Sequence, residues 1–160
     1  LIDEVRNLLK GPKDIKKAII DLLSQNSRLG KEIESFKKEK AGDVKKELLD
    51  AIEPINGVNF LAKKVDLDSG AIKDLAFQLK GEVDDLFMIL GAEIDGKVVI
   101  SIALSDSLVK GKDLHAGNMI RELAKEIAGG GGGQPTFATA GGKNASGISI
   151  ALAKAKDYLA

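Results

Sequence analysis

Gly129-Gly130-Gly131-Gly132-Gly133-Gln134-Pro135, followed shortly by Ala140-Gly141-Gly142-Lys143, is the stretch on which the reading of this chain turns. Glycine gives up more conformational freedom on folding than any other residue, so an ordered run is kept only where backbone needs positive φ or a close approach. A flexible linker would mix in serine and join two separate hydrophobic patterns. This run lies between two amphipathic helix patterns and ends in a proline that stiffens it. It reads as an ordered loop whose amides are free to meet an anion or another backbone. The loop is not a Walker sequence, because no Lys-Ser/Thr pair follows the second glycine.

On either side of it, a helix is expected over residues 113–128 before the glycines, and a last helix through Ile148, Leu152, Ala155 and Leu159 after them. Upstream, Asp95-Gly96 is the strongest turn signal, joining residues 86–94 to 98–104 as a hairpin of β-branched runs. Residues 86–90 form a continuous apolar run suited to a buried strand. Asp68 or Ser69 can cap a helix carrying Ile72, Leu75, Ala76 and Leu79. Asn56-Gly57 turns the chain into a strand through Val58, Phe60, Ala62 and Val65. The fold class is α+β: helices on a small mixed sheet of three to four strands, preceded by a helical portion. The domain boundary is placed near Ile55, giving a helical portion 1–55 and a globular portion 56–160.

The helical portion opens with a short helix over residues 1–9, and Gly11-Pro12 ends it and starts another. From there Ile15, Ile19, Leu22, Asn26, Leu29, Ile33 and Phe36 are spaced alternately four and three apart, a heptad seam of about three repeats. Asn26 on the seam would cost stability but select a register against a partner amide, which points to a homodimer. The alternative is an antiparallel hairpin, with the stripe packed on a following helix through Val44, Leu48 and Ile52 that Pro54 closes.

Composition narrows the chemistry. The chain has 160 residues and 44% hydrophobic content, enough for one real core. With no cysteine and a single histidine, His115, disulfides and thiolate metal sites are excluded and a metal enzyme is not expected. Apolar runs are too short for a membrane span and no signal peptide is evident, so a cytoplasmic setting is expected. The start at Leu1 suggests a piece of something longer. Twenty-four bases balance twenty-four acids, which argues against wholesale attraction to nucleic acid. The balance is uneven along the chain, however: residues 66–106 carry nine acids and three lysines, residues 107–160 seven bases and four acids. The glycine tract lies in the basic third.

Few residues offer catalysis. Asp84 and Asp85 are adjacent and read as turn residues, and Glu122 and Glu126, beside Arg121 and Lys125, as an exposed helix face. His115 could donate to a phosphate or simply cap a helix. Gly141-Gly142 with Lys143 and Asn144 offers a second patch of free amides, and two such loops could grip a sugar-phosphate backbone by shape and charge.

His115-Ala116-Gly117, Ile120-Arg121-Glu122-Leu123-Ala124, the five glycines, Gln134-Pro135 and Ala138 through Lys143 closely resemble the C-terminal domain of bacterial alanyl-tRNA synthetases, and also the DHH-associated domain of some phosphoesterases. The motif covers residues 115–143; the rest agrees in order and pattern. The resemblance implies a dimerising helical portion and a globular portion that binds the outer corner of tRNA(Ala), where the D and T loops meet. It implies upstream catalytic and editing domains using ATP, Mg and an editing-domain Zn, with no cofactor in this portion and no catalysis by it alone. Carried over residue by residue, the RNA-facing set is His115, Gly129, Gly130, Gly131, Gly132, Gly133, Gln134, Gly141, Gly142 and Lys143, with Lys110 and Lys112 as neighbours. Gln134 stands where the family often carries a basic residue, and Arg121 is assigned a structural role. Two alternatives stay open: a substrate-binding DHH-associated domain of a nucleotide phosphoesterase, and a purely structural dimeriser.

Overall fold

The computed structural model describes all 160 residues, in two compact units, Leu1–Lys40 and Ala41–Ala160. Residues Glu53–Ile55 belong to the sheet as its first strand, with Pro54 inside that strand rather than closing a helix.

In the first unit, helix α1 spans Ile2–Leu8 and ends where Lys10 and Gly11 take left-handed φ of 65° and 73°. Helix α2 is assigned to Ile15–Asp50. It starts at Ile15 rather than at Pro12, because the Asp14 carboxylate accepts the Lys17 N–H at 3.0 Å and serves as its cap. The residues between Phe36 and Asp43, where the hairpin alternative needed a turn, are helical. Every seam residue from Ile19 to Phe36 is exposed, from 40% at Ile19 to 68% at Phe36.

In the second unit the strands are β1 (Glu53–Ile55), β2 (Val58–Lys64), β3 (Leu86–Ile94), β4 (Lys97–Leu104), β5 (Gly130–Gly133) and β6 (Phe137–Gly142). They form one sheet in the order β1-β2-β3-β4-β6-β5, with β2 and β3 parallel and every other pair antiparallel. The sheet has six strands rather than three or four. Helix α3 (Ser69–Glu82) makes the crossover between the parallel strands, and its N-cap Asp68 accepts the Ala71 N–H at 2.8 Å. Asp95 and Gly96 both have positive φ, 51° and 72°, the mirror-image turn whose twist matches that of the strands it joins.

Alternation sorts the buried side chains into two layers. Val58, Phe60, Phe87, Ile89, Ile100 and Ile102 face one side with Met119, Ile120 and Ile148. Leu61, Met88 and Leu90 face the other with Leu48, Ile72, Leu75 and Leu79. Strand β3 is therefore buried on both faces, which is why its sequence is apolar without alternation. Phe60 and Phe87 meet edge to face at 5.2 Å between ring centroids.

The helix expected over 113–128 forms only as α5 (Ala116–Leu123), preceded by a separate short helix α4 (Asp106–Gly111). Asp113 and Ala128 adopt left-handed φ of 54° and 50°, and the chain after α5 closes when the Gly129 N–H donates to the Ala124 carbonyl at 2.9 Å. Helix α6 (Gly147–Ala155) ends in a 3₁₀ turn over Lys156–Leu159.

Candidate nucleic-acid interface

The five glycines do not form a loop. Gly130–Gly133 is strand β5, at the edge of the sheet beyond β6. The second glycine pair lies in β6, between β4 and β5, so Gly141 and Gly142 offer no patch of free amides. Low strand propensity concealed both strands: glycine has no side chain to pack, and Phe137–Gly142 contains a single β-branched residue.

Packing explains which glycines are needed. A Cβ at Gly129, Gly131 or Gly133 would run into the backbone of β6, at the Gly141, Thr139 and Phe137 carbonyl oxygens respectively. At Gly130 a Cβ meets nothing, and at Gly132 only the Arg121 guanidinium, 3.7 Å away. The alternate glycines are thus kept by close approach to a neighbouring strand.

The same alternation divides the backbone polar groups. The hairpin closes with the Gln134 N–H donating to the Phe137 carbonyl at 2.8 Å. Counting back along the register, Gly132 and Gly130 bond to Thr139 and Gly141, while Gly131 and Gly133 turn their N–H groups away from β6. Helix α5 packs beside the strand so closely that a Cβ on Gly117 would lie 2.6 Å from the Gly133 carbonyl oxygen. The glycine strand is exposed or half-buried throughout.

Two side chains of α5 complete the edge. His115 is its N-cap: Nδ1 accepts the Asn118 N–H at 3.3 Å. Arg121, exposed, lies alongside Gly132 and donates from Nη1 to the Asn118 side-chain oxygen at 3.2 Å, with no carboxylate partner. Its neighbour Glu122 accepts instead from the Tyr158 hydroxyl at 2.5 Å, and Glu126 accepts from Lys154. Burial first, and the Glu122 carboxylate second, raise the Tyr158 pKa well above the usual phenol value. Arg121 is the residue that sequence reasoning set aside. The signal was present, because adjacent helical residues do not face each other and Glu122 could not have neutralised it.

The remaining sequence-derived residues are spread around this edge. Gln134 stands at one end of β5; Lys143 follows the last residue of β6 at the other, its N–H on the Ile127 carbonyl at 2.9 Å and its exposed ammonium without a carboxylate partner. Lys112 is not part of the edge. Its Nζ donates to the Asn56 carbonyl at 3.1 Å, in the β1–β2 turn at the opposite side of the sheet. Lys110 is exposed on α4. No group of three or more His, Asp or Glu could hold a metal ion, and no helix is long and apolar enough to cross a membrane.

Residues 57–160 match the DHHA1 domain. The chain belongs to the DHHA1 family. The DHHA1 match starts one residue before β2 and takes in the whole glycine edge. Over 159 residues the chain is 54% identical to an alanine–tRNA ligase of Christiangramia forsetii, covering 99% of this chain and 18% of the relative. It is 42% identical over 157 residues to the corresponding ligase of Cytophaga hutchinsonii, covering 98% and 18%. The chain therefore spans less than a fifth of the length of these relatives. Its fold is similar to the crystal structure of the C-Ala domain from Aquifex aeolicus alanyl-tRNA synthetase, with a TM-score of 0.58 at 22% identity over 68% of this chain and 96% of that one. DHHA1 membership agrees with the resemblance carried by residues 115–143, and the α+β architecture with the order of helix and strand patterns along the chain.

Proposed function

We propose that this chain is a tRNA-binding, self-associating C-terminal part of an alanine–tRNA ligase, acting in the cytoplasm and silent in catalysis by itself. Aminoacylation and editing, with their ATP, Mg and Zn, are assigned to upstream domains of the parent. Similarity to two such ligases over nearly the whole chain supports the parentage. The observation that carries the binding role is the β5 edge, where Gly131 and Gly133 turn their N–H groups away from β6 and an Arg121 guanidinium with no acidic partner lies alongside Gly132 between them. Backbone N–H groups and a guanidinium donate, and together they suit phosphate oxygens. Such contacts read shape and charge rather than base identity, which fits the outer corner of tRNA(Ala). The partners are that corner, a second copy met through the exposed seam of α2, and the upstream domains.

The test is fluorescence anisotropy with whole tRNA and with a tRNA lacking its D and T loops, each at two salt concentrations. Whole tRNA should bind at about micromolar or weaker Kd, with affinity falling steeply as salt rises, and the loopless tRNA should lose that binding. Equal affinity for both RNAs, or a flat salt response, would refute the assignment.

A further inference from the structure

A loosely held arginine contributes charge to a binding surface, and an oriented one contributes geometry as well. Arg121 is exposed and has no acidic partner, so no ion pair sets the direction of its guanidinium. Asn118, three residues back on the same face of α5, sets it by a hydrogen bond: Oδ1 accepts from Arg121 Nη1 at 3.2 Å. We infer, building on the binding role proposed above, that Asn118 is a positioning residue for RNA, holding Arg121 by Nη1 so that the fork of Nε and Nη2 is offered to a phosphate beside the glycine strand.

Distances show which side of the guanidinium faces the strand. A Cβ on Gly132 would lie 3.7 Å from Nη2 and 3.8 Å from Nε, so these two nitrogens, and not the Nη1 that Asn118 holds, are turned toward β5. They are the pair whose parallel N–H groups match two oxygens of one phosphate. On either side of Gly132 the Gly131 and Gly133 N–H groups point away from β6. The turn that carries Asn118 is itself fixed. Its main-chain N–H donates to His115 Nδ1 at 3.3 Å, and the preceding Gly117 sits so close to the strand that a Cβ there would meet the Gly133 carbonyl oxygen at 2.6 Å. Contacts thus run without a gap from the helix cap to the guanidinium. A carboxamide directs the arginine without neutralising it, whereas a carboxylate at 118 would claim the charge that a phosphate needs.

The test is anisotropy with whole tRNA over a series of salt concentrations, using the full chain and its Asn118→Ala, Arg121→Lys, doubly substituted and Arg121→Ala variants. Arg121→Lys keeps the charge and loses the fork, so affinity should fall roughly threefold to tenfold while the salt slope stays the same, because as many phosphates are neutralised as before. Asn118→Ala should behave alike, and the double variant should bind like Arg121→Lys alone, since the two residues act through one contact. Asn118→Ala at full affinity, or losses that add in the double variant, would overturn the positioning role. Alanine keeps the main-chain N–H that His115 accepts and is the better helix former, so the melting temperature should not drop and a folding defect cannot imitate the result. A second measurement needs no RNA. The chain has three arginines, and nitrogen-15 relaxation of the Arg121 Nε–H should report a restrained side chain that Asn118→Ala sets loose. Equal order parameters in the two proteins would overturn the inference and leave the binding role standing. Arg121→Ala that binds tRNA as tightly as the unchanged chain would instead refute the β5 edge as the RNA site, and the inference with it.

Discussion

Gly131→Ala and Gly130→Ala are the same chemical change one residue apart, and the structure predicts opposite outcomes. A methyl at Gly131 would meet the Thr139 carbonyl oxygen and the Ala140 Cα, which are backbone atoms of a strand held on its other side by β4. At Gly130 the methyl meets open space. Both variants lose the same freedom in the unfolded chain, about 0.4–1 kcal/mol in favour of alanine. That contribution cancels in the comparison, so the difference between them is the steric cost, about 1–3 kcal/mol for overpacking that a backbone cannot relieve. Gly130→Ala should therefore be neutral or slightly stabilising, and Gly131→Ala should melt lower by roughly 2–4 °C for each kcal/mol. The chain has no tryptophan and one tyrosine, so unfolding is best followed by far-UV circular dichroism in urea and heat. Hydrogen exchange at the Gly130 and Gly132 amides, which the ladder protects, reads the same contrast locally. Two variants equal within about 0.5 kcal/mol and equally protected would refute the account of why the glycines alternate in importance.

Gly132→Asp places a carboxylate beside Arg121, where a Cβ fits at ordinary contact distance. It should leave the melting temperature nearly unchanged while lowering tRNA affinity and reducing the salt slope by about one phosphate; anisotropy at several salt concentrations checks it. Tyr158 supplies a pH test. Its folded pKa is raised by burial and by Glu122, so the folded state holds the phenol proton after the unfolded chain, near 10, has released it. The stabilisation is complete below about pH 10 and is lost as pH rises above it. Tyr158→Phe should flatten that alkaline decline in urea melts and, by removing the hydroxyl that donates to Glu122, lower stability modestly near neutrality; an equally steep decline in the variant would sink the assignment.

What could be read directly from residues was whatever rests on local chemistry. Asp68 as a cap, Asp95-Gly96 as a mirror-image turn and the two-sided burial of residues 86–90 each come from one side chain or one short pattern. The missed elements depend on tertiary context. Nothing within Gly130–Gly133 specifies a strand; the neighbouring β6 imposes it, and the same holds for Glu53–Ile55 alongside β2. The break between α4 and α5 turns on left-handed Asp113, a conformation aspartate tolerates but does not announce. At the candidate site the glycines, His115 and Gln134 were legible, because the tract is too costly to be incidental. Arg121 was not, since its significance lies in standing next to a strand that the sequence concealed.

The bare edge of β5 also bears on how the molecule avoids sticking to itself. A sheet margin with unspent amides invites any extended chain to add on, yet much of the gain from such addition comes from side chains meeting across the new pair. Four glycines offer none, and the run is too short to compensate. Where α5 does not cover it, the margin leaves main-chain donors for a ligand while giving little foothold to a stray strand, a form of selectivity achieved by leaving atoms out.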